Sequence, residues 1–261
     1  MITNKKTHRL NIIIYAVLIL LTVAIPTSYA ATDKARIIPL PKDISLPTLE
    51  GATSAPQEIN HKRSIYFAHP DFYHMRSNRN LLILSHYQTY QQTTEYTCGP
   101  AAALTVLYYY GNHDFDEMDL TQGMKTQGIH IGTNTANIVA FFKNIGWQVE
   151  TGLASKPMES YMAFKDFVIR NLQQQRPIMV ENIDWGGHWR VIIGYDDMET
   201  ESFLDDVLIM ADPYDTCDHL QDGYVINNGE KFFSMWFDHN VLPEDQRSQP
   251  WVVAYPAKQK K

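Results

Sequence analysis

The sequence predicts an α+β fold, in which helices come first along the chain and an antiparallel sheet follows them. Segments with apolar residues at helical spacing come first, at residues 98–110, 116–125, 135–144 and 157–175. Short apolar runs bounded by turn-forming residues come later, at residues 177–183, 188–195 and 207–211. Two more short strands are predicted among the helices, at residues 81–84 and 147–151.

Composition and charge exclude several classes of protein. The chain has 261 residues, of which 44% are hydrophobic, so it can bury the core of one domain or at most two. Its net charge of -7 argues against nucleic-acid binding, which needs a basic face. Two cysteines, Cys98 and Cys217, are too few for a disulfide-scaffolded miniprotein or a multi-cysteine zinc module.

Residues 1–30 have the three regions of a secretory signal peptide. Lys5, Lys6 and Arg9 precede an apolar run at residues 12–25, and Ser28-Tyr29-Ala30 follows as a small-residue cleavage site. The run is shorter than the ~20 residues that a helix needs to cross a bilayer, so we predict no permanent membrane span after cleavage. We expect the mature protein in the periplasm or outside the cell, where thiols are readily oxidised.

The mature chain divides into two regions. Residues 31–80 are predicted to be a linker and an N-terminal extension, because prolines recur too closely for regular structure up to Pro56 and aromatic residues follow at residues 64–79. Residues 81–261 are predicted to form the main domain.

Cys98 is the candidate nucleophile. It stands at the predicted start of a helix, before Gly99-Pro100, and proline is well tolerated in the first helical turn. Cysteine reacts as the thiolate, and the positive end of a helix dipole favours that anion. A neighbouring imidazolium would favour it further.

His188 and Asp212 are candidates for the other two catalytic groups. His188 opens a predicted strand after Gly186-Gly187, which permits close approach of the backbone to a cleft. Asp212 ends another predicted strand and precedes Pro213, which stops it. If these strands pair antiparallel, the carboxylate and the imidazole can meet and the carboxylate can orient the ring, although two strand ends leave the register open.

Gln92 is the candidate for stabilising an oxyanion. It precedes Cys98 by six residues on a polar loop, where its side-chain amide can donate a hydrogen bond beside the Cys98 backbone amide. Gln88 and Gln91 lie on the same loop and are rival candidates for this role. The alternative for Gln92 is an ordinary loop glutamine exposed to solvent.

Three stretches of the sequence are similar to the motifs of a known family: QTTEYTCGPAA at residues 92–102, GGHWRVIIGYD at residues 186–196 and ADP at residues 211–213. They resemble the papain-like cysteine peptidases, most closely the bacteriocin leader peptidase-like (double-glycine peptidase-like) family, over residues 81–240. The resemblance implies a papain-like fold and catalysis without a metal or organic cofactor. It also implies the roles of nucleophile for Cys98, base for His188, orienting carboxylate for Asp212 and oxyanion-hole donor for Gln92.

The predicted function is therefore an exported cysteine hydrolase that cleaves a peptide or related amide bond through a thioester. The double-glycine leader substrate of the transporter-fused relatives is not carried over, because this chain has an export signal and no predicted transporter domain. Two alternatives stay open. One is an acyl transferase of the transglutaminase-like or phytochelatin-synthase-like kind. The other is a non-catalytic peptide-binding module in which Cys98 is disulfide-bonded to Cys217.

Overall fold

A seven-stranded antiparallel sheet and a buried helix form the centre of the molecule in the computed structural model. The structure describes residues 70–128, 131–215 and 220–257. The predicted signal peptide, most of the predicted linker and Cys217 lie outside the described residues. The predicted α+β class is confirmed.

The elements follow one another along the chain as a short strand, three helices, a strand, a fourth helix and then mainly strands. In order they are β1 (Leu81–Ile83), α1 (Cys98–Tyr109), α2 (Glu117–Gly123), α3 (Thr135–Asn144), β2 (Trp147–Thr151), α4 (Tyr161–Gln173), β3 (Ile178–Asn182), β4 (His188–Asp196), β5 (Val207–Ala211), β6 (Tyr224–Asn228), α5 (Gly229–Ser234) and β7 (Trp251–Pro256).

The sheet brings strands from both ends of the described region together. Its order is β2-β7-β3-β4-β5-β6, and β1 pairs with the last residues of β4. The register of β4 and β5, which the sequence left open, pairs Val191 with Ala211 and shifts between Ile192 and Gly194. His188 and Asp212 thus lie at the same end of neighbouring strands.

Helix α1 is buried over nearly its whole length. All residues from Cys98 to Leu107 are buried, and the helix packs on β4. A helix that is apolar on all sides belongs in a protein interior rather than on its surface. The start of α1, and with it Cys98, is therefore held in place by core packing.

Helix α4 begins later than the sequence pattern predicts. The prediction placed its start at Pro157, but the helix runs from Tyr161 to Gln173. Ser160 has an extended backbone, and its side chain accepts a hydrogen bond from the Ala163 backbone amide. Such a serine N-cap satisfies a first-turn amide that has no partner within the helix.

Three elements were not predicted from the sequence, namely β6, α5 and β7. Strand β7 lies inside the sheet, where it pairs with β2 on one side and with β3 on the other. Its place depends on partners about seventy to a hundred residues away in the chain. Within the described residues, no helix has the length and apolar character required to span a membrane.

Candidate active site

Cys98 is the first residue of α1, and its side chain is buried beside the loop around Thr133. The side chain of the N-cap residue, Thr97, makes no capping hydrogen bond to the first-turn amides. The neighbouring Gly99 permits the close approach of this loop, because a Cβ there would lie 2.8 Å from the Thr133 Cβ. The helix start thus presents its positive end to the sulfur.

His188 and Asp212 form a buried hydrogen-bonded pair. The His188 Nε2 atom lies 2.6 Å from the Asp212 Oδ1 atom, and both side chains are almost fully buried. The same carboxylate oxygen accepts a hydrogen bond from the Tyr214 backbone amide at 2.8 Å. These contacts hold the imidazole in one orientation and leave Nδ1 as the ring nitrogen available to another group.

Cys98 is the neighbouring group, since it lines the same cavity as His188 and is one of the groups that shift the pKa of the ring. Burial alone would disfavour the imidazolium, but the charge and hydrogen bond of Asp212, followed by those of Cys98, raise the pKa of His188 to about 9. Despite its own burial, Asp212 has a lowered pKa because His188 and then Arg190 stabilise its carboxylate. The site therefore favours an imidazolium at neutral pH.

Arg190 is a further charged group at this site, and sequence analysis did not single it out. Its guanidinium is buried and lies 3.8 Å from the Asp212 Oδ2 atom. It also donates hydrogen bonds to Asn182, at the end of β3, and to Asp184, in the loop before His188. One cation thus connects the orienting carboxylate to the end of β3 and to the loop that leads into His188.

Gln92 lies at the cleft, and its neighbour Gln91 is directed elsewhere. Gln91 donates its side-chain amide to the Asp215 carbonyl oxygen, whereas Gln92 lines the same cavity as Cys98. Gln92 Nε2 donates to the Thr94 carbonyl oxygen at 2.8 Å, which uses one of its two hydrogens. The Gln92 backbone amide bonds to the Pro213 carbonyl oxygen, so this loop is anchored beside Asp212.

Glu117 organises the loop that carries Gln92. This buried carboxylate, at the start of α2, accepts hydrogen bonds from the backbone and side chain of Thr93 and from the Tyr90 hydroxyl. Burial raises the pKa of Glu117, and the hydrogen bonds from Thr97, Thr93 and Tyr90 oppose that increase. In the sequence Glu117 has the pattern of an exposed acidic residue in the first turn of a surface helix. The neighbouring residues therefore did not indicate that it contacts the loop of Gln92.

The candidate site opens into a cleft of about 300 Å³. Cys98, His188 and Gln92 line it, while Asp212 lies behind the histidine. Aromatic side chains also line it, among them Trp185, which is 62% exposed and has a backbone φ of 57°. A bulky residue with a left-handed backbone is strained, and such strain is often concentrated at functional sites.

The structure brings the four predicted site residues together around this cleft. Cys98 carries a free thiol, and its proposed disulfide partner, Cys217, lies outside the described residues. Among residues 70–257, where described, no group of three or more histidine, cysteine, aspartate or glutamate side chains is arranged to hold a metal ion.

Comparison with known families identifies the chain at this point. Residues 85–236, more than half of the sequence, match the model of the Peptidase_C39 like family. The chain belongs to the Peptidase_C39-like family. The resemblance to papain-like cysteine peptidases of the double-glycine peptidase kind is thereby confirmed, and this Peptidase_C39-like protein is a cysteine peptidase that acts on peptides.

Two solved structures are similar to this Peptidase_C39-like chain. One is the peptidase domain of Streptococcus ComA, a bifunctional ABC transporter involved in a quorum-sensing pathway; it is 20% identical, with 66% of this chain and 100% of that chain covered and a TM-score of 0.45. The other is the peptidase domain of Streptococcus mutans ComA, which is 15% identical, with 65% and 100% covered and a TM-score of 0.33. A search of curated proteins found no match.

Proposed function

We propose that this protein is an exported cysteine peptidase whose catalytic triad is Cys98, His188 and Asp212. The observation that carries the proposal is the 2.6 Å contact between His188 Nε2 and Asp212 Oδ1, made by a ring that also interacts with Cys98. A thiol, an imidazole and a carboxylate in this order are the groups that an activated nucleophile requires, and the His188–Asp212 contact supports the assignment.

In the proposed reaction, the Cys98 thiolate attacks the carbonyl carbon of the scissile amide and forms a tetrahedral oxyanion. The Cys98 backbone amide and the second hydrogen of Gln92 Nε2 stabilise that oxyanion. When the C–N bond breaks, the His188 imidazolium donates its proton to the leaving amine and a thioester remains. His188 then accepts a proton from the water that attacks the thioester; the C–S bond breaks, the carboxylic acid leaves, and the Cys98 thiolate and the His188 imidazolium are restored.

Export is the second part of the proposal, and the amino-acid sequence supports it. The basic, apolar and small-residue regions of residues 1–30 favour cleavage before Ala31 and release into the periplasm or the medium. Hydrolysis and acyl transfer share the thioester, so added amine acceptors and product analysis distinguish them.

Labelling with a peptide-based, thiol-reactive probe tests this function. We expect mature protein from the native host to begin at Ala31 and to carry the probe on Cys98, since this thiol lies in the cleft beside His188. Mass spectrometry of the digested protein identifies both the N-terminal residue and the residue that carries the probe. Labelling of Cys217 instead, with Cys98 unmodified, would contradict the proposed nucleophile.

The pH dependence of activity provides a separate prediction for His188. We expect kcat/KM to fall as the pH rises through about 9, because the imidazolium then loses the proton that the leaving amine requires. In Asp212→Asn the fall should occur at lower pH, since the lost carboxylate is what raises this pKa most. We also expect kcat to decrease about 10²-fold or more.

Two measurements check this prediction, the pH profile of kcat/KM and the pH profile of the rate at which iodoacetamide alkylates Cys98. The second needs no substrate turnover. Asp166→Asn is the matched control, because Asp166 is exposed on α4, and it should keep the wild-type profile. An unchanged alkaline limb in Asp212→Asn would show that Asp212 does not control His188.

A further inference from the structure

Two buried acidic side chains form a pair beside the candidate site. Glu181, near the end of β3, is almost fully buried and lines the same cavity as Cys98. Asp238 is fully buried and lies in the segment between α5 and β7. The two side chains are hydrogen-bonded to each other. Because a carboxylate can only accept a hydrogen bond, one member of the pair carries a proton.

The proton of this pair belongs to Glu181. Asp238 Oδ1 accepts hydrogen bonds from the backbone amides of Asn240 and Val241, at 2.7 and 3.2 Å, and these bonds favour an ionised Asp238. Burial, and then the charges of Asp238 and Cys98, raise the pKa of Glu181 well above its ordinary value. Within the described residues, no other donor reaches Glu181 Oε2 or Asp238 Oδ2. Glu181 is therefore the neutral donor, and Asp238 is the acceptor.

The other titratable groups around Glu181 do not supply it with a counter-charge. His188 lines the same cavity, and its ring is paired with Asp212. The Arg190 guanidinium, on the neighbouring strand β4, is directed to Asp184 and Asp212. The remaining titratable side chains that line the cavity with Glu181 are Cys98, Glu95, Tyr96 and Tyr214. Among the described residues, no ion pair joins either cation to Glu181, so the site favours its neutral form.

The hydrogen bond connects β3 to a segment that contacts the backbone just before His188. A Cβ at Gly187 would lie 2.7 Å from Asp238 Oδ2 and would overlap with Val241 Cγ2. Asp238 holds the backbone amides of the residues that follow it, and Glu181 holds Asp238. An ionised Glu181 would repel the Asp238 carboxylate and loosen this contact. The position of the segment against Gly187 therefore depends on the protonated form of Glu181.

We propose that Glu181 is a positioning residue for His188. As a neutral acid it donates a hydrogen bond to the Asp238 carboxylate, and this bond holds residues 238–241 against Gly187, which leads into His188. The negative charge of the pair lies on Asp238, which does not line the cavity, rather than on Glu181, which does. The effect on catalysis rests on the proposed function, whereas the protonation of Glu181 does not.

The pH dependence of stability shows which form Glu181 takes. A group whose pKa is raised by folding stabilises the protein at low pH, and this contribution is lost as the pH rises above its ordinary range. Glu181→Gln donates the same hydrogen bond from an amide that does not ionise. We therefore expect its folding equilibrium constant, relative to wild type, to rise about tenfold for each pH unit above roughly pH 5, until Glu181 ionises in the folded wild type.

Urea unfolding across this pH range measures the effect. Glu159→Gln is the matched control, because it removes an exposed carboxylate, and its stability curve should run parallel to that of wild type. In Asp238→Asn the new amide can donate to an ionised Glu181, so the loss of stability with rising pH should be smaller than in wild type.

Kinetics show whether the bond positions His188. Glu181→Met introduces a side chain of similar length that donates no hydrogen bond, so the buried Asp238 carboxylate loses this donor. We expect kcat to fall about tenfold or more with little change in KM, because a displaced imidazole affects the chemical step rather than binding. Glu181→Gln should keep kcat and the fall in kcat/KM through about pH 9 that His188 sets.

Thermal unfolding establishes that each variant is folded at the assay temperature. Diverging stability curves for Glu181→Gln and wild type, with a lower kcat in folded Glu181→Met, support the inference. Parallel curves overturn it, since Glu181 would then be ionised, and so does an undiminished loss of stability in Asp238→Asn. Full kcat in folded Glu181→Met, or loss of kcat in Glu181→Gln, also overturns it. If the proposed function fails instead, no peptide is hydrolysed in a Cys98-dependent way, while the stability curves still diverge.

Discussion

Cys98→Ala is expected to abolish peptide hydrolysis and leave the fold intact. Loss of the sulfur removes the atom that forms the thioester, and loss of a catalytic nucleophile typically lowers kcat by roughly 10⁴-fold or more. The change removes one buried atom at a helix start that the rest of α1 holds in place, so we expect the free energy of unfolding to change by only about 1 kcal/mol.

Steady-state hydrolysis of a peptide and urea-induced unfolding check this expectation. Cys217→Ala is the matched control, because it removes the other thiol of the chain and should leave hydrolysis in place. Full activity in folded Cys98→Ala would exclude the thioester mechanism. Loss of activity in both variants would indicate that the two cysteines act together.

Gly187→Ala is expected to reduce both stability and activity. Gly187 immediately precedes His188 and has a φ of 134°, a backbone conformation that residues with a side chain rarely adopt. A Cβ at this position would overlap with Val241 Cγ2 and would lie 2.7 Å from Asp238 Oδ2. Backbone strain and overpacking each cost about 1–3 kcal/mol, so we expect the free energy of unfolding to fall by roughly 2–6 kcal/mol.

The effect on activity follows from the position of His188 beside this glycine. If the chain moves to relieve the overlap, the imidazole moves relative to Cys98, and a misplacement of about 1 Å can cost roughly 10²-fold in rate. Urea unfolding and kcat/KM measure the two effects. In the control, Gly128→Ala, the new Cβ meets no described atom within 4 Å and φ is not positive, so both values should stay near wild type. Wild-type activity in Gly187→Ala would show that the close approach is unnecessary.

Local sequence patterns were sufficient for most elements of the first two thirds of the domain. Helix α3 has the predicted bounds, Thr135–Asn144, because apolar spacing and a capping asparagine act within a few residues. Strands β6 and β7 were not predicted, although their sequences, YVINN and WVVAYP, contain residues that favour strands. Their places in the sheet depend on distant partners, since β6 pairs with β5, and β7 pairs with β2 and β3.

In the candidate site, too, some residues are indicated by the local sequence and others only by contacts between distant segments. Cys98, His188, Asp212 and Gln92 stand out in the sequence because their chemistry requires particular residue types beside helix starts, strand ends and glycines. Arg190, Glu117 and Glu181 do not stand out, because a charged residue in a strand or a first helical turn is usually solvated. Their burial, and the partners that they have or lack, arise from long-range packing.

By itself the sequence determined the α+β class, the family and the four residues around which the proposed chemistry is built, since these depend on local spacing and residue type. Only the tertiary structure decided the register of β4 and β5, which places the Asp212 carboxylate on His188. It also decided that Arg190 and Glu181 are buried at the site. The physical reason is that strand pairing and burial join segments far apart in the chain, whose contacts no local pattern records.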